Sequence, residues 1–231
     1  MTKTISIFLK NFILAVIFLG NITGIPLSSK TIPQSATRVP ADSFLVLSVN
    51  AEALINKSSI TNSRVWKPLF NSWNLSNPEV HSFLSNLKDK GLNTKIPLQF
   101  FIRTNSSDQV PLSIGMIGLA NNVQIIDQSI SNLAESLGFT SLEGKAIRFQ
   151  KKGIPIEFGR KGKFFYLIGL GPVVKDVTSN GLSLEKLYRA IPSQAVDKKF
   201  PTSMKQFFTT KSDIGLYLDG SGFANLLEKR W

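Results

Sequence analysis

The chain has 231 residues, 42% hydrophobic and 18% charged, and its 27 Lys and Arg against 15 Asp and Glu give a formal net charge of +12. A mean hydropathy of +0.07 with 10% aromatics excludes a disordered tail at one extreme and a multi-spanning membrane protein at the other. The absence of Cys removes disulfides, thiolate metal sites, iron–sulfur clusters, cysteine nucleophiles and a lipidated N-terminal Cys, and a single His leaves too few ligands for an ordinary zinc site.

Lys3 and Lys10 precede an unbroken apolar run of eight residues, Phe12 to Leu19, after which Gly20, Asn21, Thr23, Gly24 and Pro26 break the pattern. A basic start, a short greasy core and a small-residue exit form the pattern of a secretory signal peptide, expected over residues 1–29. Gly24 and Ser29 are both acceptable last residues, and neither has a small partner two positions earlier. The rival reading is a signal anchor from Ile5 to Ile25, since a bilayer crossing needs roughly 20 apolar residues. Removing residues 1–29 takes Lys3 and Lys10 and no acid, leaving 25 bases against 15 acids, a net +10 on the exported body. A body of that size buries enough surface to fold without staples.

Residues 30–39 read as an extended leader, because over Thr31 to Pro40 the two prolines, Pro33 and Pro40, and small polar side chains favour neither helix nor packed strand. The α+β domain is expected over 40–211. Leu45, Leu47 and Val49 alternate as a strand, and Asn50 caps a short helix carrying Leu54 and Ile55. Trp66, Leu69, Phe70 and Trp73 fall at helical spacing, as do Val80, Phe83, Leu84 and Leu87 before Gly91. The segments Ile96 to Thr104 and Val110 to Ala120 read as a hairpin. Val123, Ile126, Ile130, Leu133 and Leu137 then mark a helix started at Asn121 or Asn122 and stopped by Gly138. Three antiparallel strands follow, around Ile147 to Phe149, Ile154 to Phe158 and Phe165 to Leu167, turning at Lys152-Gly153 and Lys161-Gly162. Helices around Leu184 to Ile191 and Met204 to Phe208 precede a last strand, Asp213 to Leu218. The fold class is therefore α+β, an antiparallel sheet with short helices packed mainly on one face.

At an offset of 169, Leu45, Leu47, Val49, Asn50 and Leu54 align with Ile214, Leu216, Leu218, Asp219 and Phe223. Residues 212–231 then read as the start of a second copy of the opening unit, cut off at Trp231; the competing reading is an ordinary strand-to-capped-helix unit. The stretch VPADSFLVLSVNAEALI, Val39 to Ile55, resembles the start of a family of exported bacterial proteins of unknown function, in which a Val/Ile-Pro dipeptide leads a strand and an N-capped helix. The resemblance implies an α+β unit, often duplicated, and brings no catalytic residues; many members look like lipoproteins, which this chain cannot be without a Cys.

No catalytic, cofactor or metal site is expected. His81 lies one position off an apolar stripe, without a nucleophile elbow anywhere in the chain, and reads as a helix-flank residue. Gly169, Gly171 and Pro172 begin like a dinucleotide fingerprint, but Val174 stands at the third glycine position. Asp219, Ser221 and Asn225 suggest a calcium loop, but Arg230 occupies the place of the bidentate Glu, so a capping turn suffices. Asp127, Glu135, Glu143 and Glu157 read as solvated faces rather than a glycosidase pair, and Trp66, Phe70 and Trp73 as a core stripe rather than a sugar platform.

Seven cations, Lys145, Arg148, Lys151, Lys152, Arg160, Lys161 and Lys163, fall within 19 residues, largely at hairpin turns. If those turns share an edge they form a rim for anionic lipid headgroups or acidic polysaccharide; otherwise they are the Lys that keep strand edges soluble. Nucleic acid is not expected, since export removes it as a partner and no reading motif is present. Membrane contact is expected only through residues 1–29, if they stay uncleaved. The sequence thus predicts an exported, periplasmic or extracellular envelope protein with a non-enzymatic binding or structural role. The alternative is a hydrolase of envelope polysaccharide using carboxylates that spacing does not reveal.

Overall fold

A computed structural model describes residues 27–28, 31–53, 79, 82–83, 86–104, 112–142, 147–151, 156–170, 184, 188–189, 191, 200–222 and 224. In chain order the strands are β1 (Leu27–Ser28), β2 (Ser43–Val49), β3 (Leu98–Thr104), β4 (Leu112–Leu119), β5 (Thr140–Ser141), β6 (Arg148–Gln150), β7 (Ile156–Lys161), β8 (Phe164–Leu170), β9 (Thr210–Lys211) and β10 (Ile214–Leu218). Two helices are described in full, α1 (Val123–Leu137) and α2 (Thr202–Thr209). The class is α+β, as expected: eight strands pair antiparallel in the order β10-β2-β3-β4-β8-β7-β6-β5, and β1 pairs with β9 apart from them. The expected helices around Leu54 and around Trp66 to Trp73, and the signal segment up to residue 26, lie outside the described residues, as do residues 185–187 and 190 of the helix expected at 184–191.

The sheet is built as two meanders. β2, β3 and β4 run side by side antiparallel, β3 and β4 as the expected hairpin. α1 then carries the chain to the far edge, and β5 to β8 step back until β8 meets β4. α1 forms where expected: the Asn122 side chain accepts from the Gln124 and Ile125 N–H groups at 3.0 and 3.1 Å, and Gly138 closes the helix at φ +68. Its Ile126, Ile130 and Ala134, four apart, are buried against Phe158 and Phe165.

The cover extends to both faces. α1 lies on one; on the other, Leu184, Ile191, Met204 and Phe208 pack on Val46, Phe101, Ile117, Tyr166 and Ile168. The reason is in the strands themselves, which bury residues of both parities, as β4 does from Leu112 to Leu119. The segment expected to be an extended leader is also different in kind. Ala36–Arg38 is a 3-10 turn, and Ser35, Ala36 and Val39 are fully buried in the second face's core. Pro33 opens the turn, since Ala36 N–H donates to its carbonyl at 3.0 Å, and Ala36 and Val39 pack in one cluster with Met204 and Phe208 of α2.

β10 completes the first sheet as its edge strand, paired with β2. The register coincides with the sequence offset: at 169 residues apart, Leu47 and Leu216 lie directly opposite, while Leu45 faces Leu218 and Val49 faces Ile214. The flanking backbone bonds match as well, Asn50 N–H to the Asp213 carbonyl at 2.7 Å and Asp219 N–H to the Phe44 carbonyl at 2.7 Å. Both strands end in a side-chain cap, Asn50 accepting from Ala53 N–H and Asp219 from Ser221 N–H, each at 3.1 Å. The two strands are therefore related by a local two-fold axis through the Leu47–Leu216 pair.

Candidate functional site

Hairpin register decides what the basic cluster becomes. Along β7, Glu157, Gly159 and Lys161 share one face and Ile156, Phe158 and Arg160 the other. Arg148 of β6 and Tyr166 of β8 both lie opposite Gly159, which makes each a diagonal neighbour of Glu157 on the same face. Gly159 contributes no side chain, and the guanidinium and the phenol converge on Glu157 from either side. Arg148 donates to both carboxylate oxygens, at 2.8 and 2.9 Å, and the Tyr166 hydroxyl donates to Oε1 at 2.7 Å. Glu157 is 1% exposed. Burial, and then the bond to Glu157, push the Tyr166 hydroxyl well above the ordinary tyrosine range.

Tyr188 lies over this group. The Arg148 guanidinium stacks on its ring at 3.9 Å, and Lys161 Nζ sits 4.4 Å from the ring centroid. Lys161 also donates to the carbonyls of Tyr188 and Ile191, at 3.2 and 2.8 Å. The network therefore fastens Tyr188 and Ile191 to the sheet. On the opposite face Arg160 pairs through two nitrogens with Asp127 of α1 and donates to the Gly162 carbonyl at 2.5 Å. That hydrogen-bonded carboxylate raises the guanidinium above its ordinary value. Lys151 donates to the Leu137 carbonyl at 2.8 Å, at the electronegative end of α1.

The seven cations thus do not form one rim. The turns on either side of β7 fall at opposite ends of a six-residue strand, about 15–20 Å apart. Arg148 and Lys161 point to one face and Arg160 to the other. Lys163 is exposed; Lys145 and Lys152 lie outside the described residues. Two other expectations change with them. Glu157 is buried and paired rather than solvated, because β7 is covered on both faces, and Asp127 is partly buried in its pair with Arg160. Asp219 is a capping residue, as expected, accepting from both the N–H and the hydroxyl of Ser221. His81, Trp66, Phe70, Trp73, Glu143, Gly171 and Pro172 lie outside the described residues.

Sequence reading missed Tyr166 and Tyr188 as partners of the charges. The signal available was the nine-residue spacing of Arg148 and Glu157, which an antiparallel turn between them brings onto one face. Chemically, the arrangement satisfies a carboxylate with three donors and holds a phenol neutral. Among the described residues no group of three or more metal-ligating side chains occurs, and no helix is long and apolar enough to cross a membrane. No family model, curated protein or solved structure matches the chain.

Proposed function

We propose that this is an exported, non-enzymatic protein of the bacterial cell envelope with a binding or structural role, of the kind its opening Val-Pro-led unit resembles. The observation that carries the non-enzymatic part is the state of Glu157: both oxygens are engaged by Arg148 and one also by Tyr166, so the buried carboxylate is committed to holding the body together. The alternative, a polysaccharide hydrolase, requires two carboxylates about 5–9.5 Å apart across a cleft. Asp42, Asp127 and Glu157 are each paired with an arginine instead.

The partner we propose is an anionic envelope surface, lipid headgroups or acidic polysaccharide, met by diffuse charge rather than by a rim. Lys88, Lys95, Lys163 and Lys211 are exposed on a body of net +10. Cosedimentation of the exported protein with phosphatidylglycerol vesicles is the test. Binding at low salt that weakens as the screening length falls below about 10 Å supports the reading. Absence of binding at low salt overturns the partner, and recovery of the protein from the cytosol with Met1 intact overturns export.

A further inference from the structure

We propose that the leader is released by hydrolysis of the Gly24–Ile25 bond, so that the mature chain starts at Ile25; this rests on the export reading above. The sequence offers Gly24 and Ser29 as acceptable last residues for a leader peptidase. The fold separates them. A cut after Ser29 would remove Leu27–Ser28, which is β1 and pairs antiparallel with β9, Leu27 opposite Lys211 and Ser28 opposite Thr210.

β9 is anchored on both sides. It follows α2, whose Met204 and Phe208 are buried in the core, and the Thr210 hydroxyl donates to the Gln206 carbonyl at 3.0 Å. β10 begins three residues after it and joins the main sheet. Downstream of β1 the chain enters the core quickly: Ile32 packs against it, and Ser35, 0% exposed, donates to the Pro97 carbonyl at 2.5 Å. The folded body therefore extends back to Leu27. A cut after Gly24 leaves it whole, and the bond broken is not one to a proline nitrogen.

The step is an ordinary hydrolysis. Water adds across the amide under the membrane peptidase that removes leaders, the C–N bond breaks, Gly24 leaves as a carboxylate on the released leader and Ile25 gains the new ammonium. The experiment is N-terminal sequencing and intact mass of the full chain after export by a bacterial host. A start at Ile25 is expected. A start at Lys30 overturns the inference and leaves export standing; an intact Met1 on membrane-bound protein does the same in favour of an anchor. An intact Met1 on cytosolic protein overturns the export reading itself. Two variants give an independent readout: Gly24→Leu is expected to leave the leader attached, and Ser29→Leu to be processed normally. The reverse pattern overturns the assignment.

Discussion

Removing the Arg148 guanidinium would leave the Glu157 carboxylate buried at 1% exposure with only a phenol to compensate it. Breaking one side of a buried pair costs about 3–5 kcal/mol, so Arg148→Ala is expected to lower unfolding stability by that amount in urea titration. Adding Glu157→Gln to it should recover part of the loss, because the stranded group is then neutral; a double variant no better than the single one would refute the pairing as the source. Tyr166 gives the network a pH signature. Its folded pKa is raised, so above the ordinary value of about 10 the unfolded chain releases a proton that the folded chain keeps. Stability from this group is complete below about pH 10 and declines as pH rises, by at most about 1.4 kcal/mol per unit. Tyr166→Phe should remove that part of the alkaline slope while costing about 1 kcal/mol at neutral pH.

At the scale of single elements, α1 depends on its two ends. Asn122→Ala loses both cap bonds and is expected to cost about 1 kcal/mol by thermal or urea melting. Gly159 is constrained differently: a Cβ there would be driven into the Ile147 carbonyl and the Arg148 backbone, so Gly159→Ala should destabilise more than the cap variant does. Equal stability of Gly159→Ala and the parent would show that β6 can move aside. The helix α1 and the hairpins were legible because their apolar residues keep one period between clear stop signals. The 3-10 turn at Ala36–Arg38 was not, since small residues between prolines look alike whether they are solvated or packed beneath a helix. Glu157 was misread for a related reason: alternation identifies a covered face only when the other is wet, and here neither is. The split of the basic cluster was available in principle, because successive hairpin turns must lie at opposite ends of the strand they share.

Over the whole molecule, β2 owes its position as an inner strand to β10. Deleting residues 212–231 would bare the backbone of β2 beside Leu45, Leu47 and Val49, an edge without charge or proline to guard it. That variant is expected to associate more than the full chain does in size-exclusion chromatography, and a deletion as monodisperse and as stable as the full chain would show that β10 is dispensable to the sheet. Order of synthesis gives the β2–β10 pair a further meaning. Val49 is made long before Ile214, and their pairing closes a loop spanning most of the chain, so the contact is among the slowest the fold must make. Until the ribosome has delivered the last strand, the first one has an open flank. On the export proposed above, that delay would keep the chain loose enough to pass a membrane pore and let it seal only on arrival.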